Sequence, residues 1–220
     1  MGVTLDSDKD LDLFQHISPA LANQLQQIVI KKGTVFIEAD AQKEVEFYYI
    51  LDGQVSVFAQ APNGREYWVD TQGRGDFMGK FSQFRGQNFN CEVRADTDCR
   101  LLVLTPFKQE LLRNSRFALW FYLKTSGRVY EMYKIVIART LFSFDELLAY
   151  HLLRLEKNGS VNVSLKRMLY ILNISERQYF YLVKDLEKRG LILRRRGGFD
   201  LLDRPALTEL ASNVTQFMNN

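Results

Sequence analysis

The stretch from Phe107 to Leu141, FKQELLRNSRFALWFYLKTSGRVYEMYKIVIARTL, holds no proline and a single glycine, Gly127. A run this long, apolar at helical spacing and free of breakers, predicts one long helix, or a short one followed by a long one. Along it, Leu119, Leu123, Ser126, Tyr130, Tyr133 and Ile137 are spaced 4, 3, 4, 3, 4. That is a seam of the coiled-coil kind. Trp120, Phe121, Val129, Met132 and Val136 fall off the seam, so the helix is apolar on more than one face and needs more than one partner. Burial within its own domain would satisfy it. The width of the apolar surface favours a second arrangement, with one face packed on a neighbouring domain and the other on a second copy of the chain.

The residues before the helix have a different texture. HISPALANQL offers Ser18 as an N-cap and Pro19 at the first helical position, so a short helix is expected within 11–28. From Val29 to Leu104, short runs rich in β-branched and aromatic residues alternate with turn signals: VFIEADAQ, EFYYILDGQVSVFAQ, PNGREYWVDTQ and RLLVL. Asp52-Gly53 and Asn63-Gly64 are tight-turn pairs. Strands so short and so often turned predict an antiparallel sandwich or barrel.

After the helix, two capping boxes mark two new helix starts. Ser143-Phe144-Asp145-Glu146 opens a helix from about Phe144 towards Gly159, and Ser175-Glu176-Arg177-Gln178 opens another at Glu176. Between them, Ser164 can cap LKRMLYILN, and only Asn173-Ile174-Ser175 separates that segment from the helix at Glu176. Two short helices joined so tightly form a helix-turn-helix. The second buries Tyr179, Leu182, Val183 and Leu186 at helical spacing and turns Arg177, Tyr181, Lys184 and Lys188 outward. GLILRRRGGFDLLD then predicts a β-hairpin turning at Gly197-Gly198, with Arg194, Arg195 and Arg196 at its tip: a wing. RPALTELASNVTQFMNN predicts a short terminal helix.

Charge follows the same division. The net charge is +3, and residues 141–220 carry 12 Lys and Arg against 9 Asp and Glu, so the last third holds the whole excess. A basic module behind a neutral one points weakly to nucleic acid. The two cysteines, Cys91 and Cys99, exclude a disulfide scaffold and supply no zinc-ligand spacing. No Gly-rich phosphate loop, paired metal ligands or nucleophile elbow occurs, so an enzyme is not expected. The N-terminal MGVTLDSDKDLDLF is acidic and lacks the apolar core of a secretory signal, and no apolar run is long enough to span a bilayer. A cytoplasmic location is therefore expected.

In this order of parts the chain resembles the Crp/Fnr family of bacterial transcription regulators. The resemblance rests on YYILDGQVSVF, on GDFMGKF followed by EVRADTDCRLLVL, and on VSLKRMLYILNISERQYFYLVKDLEKRGLI, and runs from about Leu11 to about Leu202. It implies an α+β chain: an N-terminal antiparallel β-roll of the jelly-roll, cyclic-nucleotide-binding type over 1–108, a dimerisation helix over 109–141, and a C-terminal winged helix-turn-helix DNA-binding domain over 142–220. It implies a homodimer on double-stranded DNA, with RNA polymerase a further partner where a promoter is activated, and no membrane. By the family's pattern Glu176, Arg177 and Tyr181 would read bases; Gln178 is added because a carboxamide can pair with adenine. Ser164, Lys166, Lys184 and Arg194, Arg195 and Arg196 would hold phosphates, which fixes register without reading sequence. The family commonly has Arg then Glu after the capping serine and Arg a turn later. Glu176, Arg177 and Tyr181 depart from that, so a different half-site is implied.

Family members that bind cyclic AMP hold its ribose with a Gly-Glu pair and its phosphate with an Arg-Ser pair. Counted from Val93-Arg94-Ala95, those positions are Gly79-Lys80 and Phe89-Asn90. A buried phosphate needs a compensating charge, which Phe89 cannot supply, and Lys80 lacks the acceptor that ribose hydroxyls need. The effector pocket Gly79, Lys80, Phe89, Asn90 and Cys91 is thus degenerate, cyclic AMP is not the expected effector, and no cofactor or metal is expected. His16 and His151 stand alone, as surface or packing residues. An alternative remains: a small-molecule or redox sensor, with Cys91 the candidate thiol, whose main output is a protein partner.

Overall fold

The computed structural model describes residues 12–38, 47–79 and 91–219. The chain forms two compact units, Met1–Val129 and Tyr130–Asn220. Their boundary lies inside the long helix, so the expected separate segment 109–141 is divided between them.

The first unit opens with two single turns, α1 (Leu13–His16) and α2 (Pro19–Ala22), followed directly by β1 (Gln26–Ile30). One helix within 11–28 was expected. Ile17 is extended and Ser18 caps α2, its hydroxyl accepting from the Leu21 N–H at 3.2 Å. Pro19 has no N–H to continue a helix from α1, and from Gln26 the chain is held in a sheet instead. β2 (Val35–Ile37), β3 (Phe47–Asp52), β4 (Gln54–Gln60), β5 (Glu66–Gly73), β6 (Phe77–Gly79), β7 (Cys91–Ala95) and β8 (Cys99–Val103) complete two four-stranded antiparallel sheets, ordered β1-β8-β3-β6 and β2-β7-β4-β5. The expected sandwich is present.

Why β3 is apolar on both faces is visible in its packing. Ile50 packs with Val55, Val93 and Leu101. Phe47, Tyr49 and Leu51 pack with Leu13, Leu111 and Phe117. Successive side chains of a strand point to opposite faces, so a sheet covered on both sides needs this near-continuous run. Gly53 makes the β3–β4 turn at φ +94°, and a Cβ there would lie 2.6 Å from the Asp98 carbonyl oxygen. Both requirements demand glycine.

A 3₁₀ turn (Thr105–Phe107) and α3 (Lys108–Arg113) precede α4 (Ser115–Leu141), the short-then-long option of the sequence. At the start of α4, Phe117, Trp120 and Phe121 enter the aromatic cluster of the first unit, with Phe77 5.0 Å from both Trp120 and Phe121. Arg128 lies between two carboxylates of the same unit: Nε to Asp70 at 2.5 Å and Nη1 to Asp76 at 2.9 Å, with Nη2 donating to the Thr71 carbonyl. Burial lifts the Asp70 carboxyl above its ordinary range, against the opposing pull of Arg128. Arg128→Gln leaves two half-buried carboxylates without their cation. We expect a loss on the order of 3 kcal/mol, read as a lower urea midpoint.

In the second unit, α5 (Phe144–Leu155), β9 (Ser160–Asn162), α6 (Leu165–Leu172), α7 (Glu176–Lys188), β10 (Ile192–Arg195), β11 (Gly198–Leu201), α8 (Arg204–Leu210) and α9 (Ser212–Asn219) follow the second half of α4. α5 stops at Leu155, short of the expected Gly159, because Asn158 (φ 53°) and Gly159 (φ 78°) turn the chain into β9. β9 makes the wing three-stranded, order β10-β11-β9, and the terminal segment is two helices rather than one. The core joins Leu148, Leu152, Met168, Leu172, Val183 and Leu186 with Leu207 and Val214 of the terminal helices.

His151, half-buried on α5, titrates far below its usual value, at about 4, because burial and then the nearby Arg154 and Arg139 disfavour the imidazolium. The unfolded chain takes up this proton near 6.5 and the folded chain only near 4. Stability is therefore full above that window and falls as pH drops through it, by about 3 kcal/mol. His151→Gln should flatten the difference, measured as urea midpoints between pH 7 and pH 4.

Candidate nucleic-acid interface and effector region

The interface is built from α6, α7 and the wing. Asn173 ends α6 in the left-handed conformation (φ 53°), which asparagine tolerates better than most residues. Two residues later Ser175 starts α7. The Gln178 N–H donates to the Ser175 hydroxyl at 3.3 Å, and the Ser175 N–H donates back to Gln178 Oε1 at 3.0 Å. This reciprocal cap fixes the N-terminus of α7. Tyr179, Val183 and Leu186 are buried and Leu182 half-buried, as the spacing predicts. Glu176, Arg177, Tyr181, Lys184 and Lys188 are exposed, Tyr181 at 76%.

Gln178 must be reassigned. Its Oε1 accepts from both the Ser175 N–H and, at 2.9 Å, the Ser175 hydroxyl, so the oxygen that adenine pairing requires is already engaged. Arg195 also differs from its expected role. Its Nε bonds Asp200 at 2.8 Å and its Nη2 bonds Asn162 at 2.8 Å, so it staples the three strands of the wing together. Arg194 and Arg196 are exposed. The Arg194 guanidinium lies 5.8 Å from the Phe180 ring, and the Arg194 backbone N–H donates to Glu187 Oε1 at 3.0 Å. These two contacts tie the wing to α7. Sequence reasoning passed over both, although Phe180 is an aromatic residue on the polar face of α7 and could have drawn notice. Ser164 caps α6 through the Arg167 N–H at 3.2 Å, and the exposed Lys166 sits 5.6 Å from the Tyr170 ring.

Of the expected effector residues, Lys80, Phe89 and Asn90 lie outside the described residues. Gly79 ends β6 opposite Phe47, and Cys91 opens β7 opposite Ala59, on the other sheet. Burial pushes the Cys91 thiol up to about 11, which leaves almost no thiolate at neutral pH. The lone histidines are packing residues: His16 stacks on Trp120 at 4.5 Å, and His151 lies against the C-terminal core. Among the described residues no group of His, Cys, Asp and Glu could hold a metal ion, and no helix is long and apolar enough to cross a membrane.

The expected seam is exposed: Leu119 at 60%, Leu123 at 60%, Tyr130 at 54% and Tyr133 at 63%. Ser126 and Ile137 are half-buried. Val129 and Val136, placed off the seam by the sequence, are exposed as well, and with Tyr122 they form a further column at heptad spacing.

Residues 27–112 match the family of the cyclic nucleotide-binding domain. A cAMP-activated global transcriptional regulator of Mycobacterium tuberculosis, described as CRP-like, is 35% identical over 77 residues, 33% of this chain and 34% of that protein. The match thus spans about a third of the length of that relative. Two solved structures share the fold over most of the chain. A transcriptional regulator of the Crp/Fnr family from Eubacterium rectale has TM-score 0.75 at 16% identity, covering 92% of this chain and 98% of that one. The c-di-GMP-responsive global regulator of Xanthomonas campestris has TM-score 0.69 at 19% identity, covering 81% and 94%. Within the first unit, residues 27–112 are thus similar to cyclic nucleotide-binding domains. Over most of its length the chain shares its fold with these two regulators.

Proposed function

We propose that this protein is a sequence-specific DNA-binding regulator, acting as a homodimer on an inverted repeat. The observation that carries the reading is the exposed face of α7. Glu176, Arg177 and Tyr181 project from a helix whose start is fixed by the Ser175–Gln178 cap and whose flank is tied to a basic wing. Arg177 can donate two bonds to guanine O6 and N7, Glu176 can accept from cytosine N4, and the Tyr181 ring can contact a thymine methyl. Ser164, Lys166, Lys184, Arg194 and Arg196 supply phosphate contacts, and Arg195 shapes the wing that presents them. A two-fold pair of such helices places half-site centres roughly 34 Å apart.

Cyclic AMP is not the effector in this reading, although the Mycobacterium tuberculosis relative is cAMP-activated. Lys80 and Phe89 stand where a carboxylate and a guanidinium would be needed. Titration with cyclic AMP should give no heat of binding; saturable binding would overturn this part. A thiol-based sensor is disfavoured by the raised Cys91.

Selection of binding sites from random duplex DNA tests the central reading. An enriched inverted repeat is expected, and a folded dimer that enriches nothing without an added ligand would count against it. Arg177→Ala should relax preference at one base position per half-site and cost about 1–3 kcal/mol. Unchanged base preference would show that α7 does not read DNA as placed.

A further inference from the structure

Beyond the DNA-reading surface, the second unit carries a groove of about 500 Å³, within the range of small-molecule sites. It is lined by Glu131 of α4, Tyr150, Leu153 and Arg154 of α5, and residues of α8 and α9 that include Arg204 and Met218. The two terminal helices, whose role the sequence left open, thus help to form a concave surface that DNA reading does not use.

The polar groups on this surface are unbalanced. Tyr150 is only 6% exposed, and its hydroxyl oxygen accepts from Arg154 Nη1 at 3.1 Å. No acceptor for the Tyr150 hydroxyl proton lies among the described residues, and no carboxylate among them pairs with Arg154. Glu131 is taken by Lys134 at 2.9 Å, and Lys134 also donates to the Met218 carbonyl at 2.9 Å. Arg204 faces Glu156 at 3.6 Å. A basic residue in the last turn of α5 is favoured by the helix dipole, which accounts for the charge of Arg154. The dipole does not account for the placement of this exposed guanidinium, which has no carboxylate partner among the described residues, against a nearly buried phenol on the wall of the groove.

We propose that this groove binds a small organic anion, a carboxylate or a phosphate monoester on an apolar body. Its oxygens accept from the Arg154 guanidinium and the Tyr150 hydroxyl, and its body lies against Leu153 and Met218. A cation without a carboxylate partner among the described residues, set in a concave surface, favours an anion, and a guanidinium binds carboxylate and phosphate oxygens in the same bidentate way. The proposal is independent of what α7 reads.

The test uses the full chain with its methionine methyl groups labelled for NMR, and Met218 identified by Met218→Leu. Benzoate and phenyl phosphate are the two anionic probes; benzyl alcohol is the neutral control. The expected result is a saturable shift of the Met218 methyl signal with one or both anions and none with benzyl alcohol. The stronger anion identifies the ligand as a carboxylate or a phosphate. Arg154→Gln should weaken binding about tenfold or more, and Tyr150→Phe, which keeps the ring, about threefold or more. No shift with either anion to about 10 mM, equal shifts with benzyl alcohol, or unchanged affinity in both variants would overturn the proposal. Arg154 is exposed, so its replacement should leave the fold intact; Tyr150→Phe decides the matter if it does not.

Discussion

Leu123→Glu combined with Tyr130→Glu should yield a folded monomer that no longer selects an inverted repeat. Both side chains lie more than half exposed on α4 and are seven residues apart, at heptad spacing. In a two-fold pair of chains each substitution occurs twice, so four apolar side chains leave the interface. Burying a leucine-sized side chain contributes about 1.5–3 kcal/mol, and only about 4 kcal/mol separates nanomolar from micromolar association. The introduced carboxylates would also face each other across the axis. Sedimentation should report the monomer mass at micromolar concentration, and circular dichroism should report an unchanged fold, since neither position belongs to a core. DNA affinity should fall by more than about a hundredfold, because one half-site must then hold one helix alone. A dimer that persists would mean that this face is not the interface.

Gly198→Ala should disable the wing. Gly198 opens β11 and pairs with Arg195 on one side and Asn162 on the other. A Cβ on Gly198 would overlap the Val161 carbonyl oxygen, a backbone atom that cannot step aside without breaking the ladder. The cost should exceed about 3 kcal/mol, since either β9 or β11 must leave the sheet. Hydrogen exchange should accelerate in the three wing strands before it does in α5 and α7. Loss of the wing should weaken binding to all DNA sequences similarly and flatten its salt dependence, because phosphate contacts are sequence-independent. Gly197→Ala, with no atom within 4 Å of its Cβ and a strained φ of +85°, should be milder.

How legible was this in the sequence? The elements were, wherever local chemistry settles them. Ser175 and Gln178 announce the start of α7 because a cap is a contact between residues three apart. Asp52-Gly53 announces a turn because only glycine takes that φ without strain. Strand β3 was legible from its apolar run. Errors fell where distant pairing competes with local preference. Gln26 to Ile30 follow a helix signal, yet their partners Cys99 to Val103 hold them extended. β9, three residues long, had no signal, because it exists only through pairing with β11.

The candidate site divides in the same way. Sequence alone determined the kinds of element, the outward face of α7 with Glu176, Arg177 and Tyr181, and the apolar seam of α4, since helical periodicity assigns faces without knowledge of neighbours. Tertiary structure alone decided which charges are free. Nothing in RRRGG distinguishes Arg195, bound to Asp200 and Asn162, from the exposed Arg196, and nothing near Tyr150 announces a groove closed by helices more than fifty residues later. The reason is physical. A hydrogen bond depends on the distance between two atoms and not on their separation along the chain, so partners brought together by folding leave no mark in the local sequence.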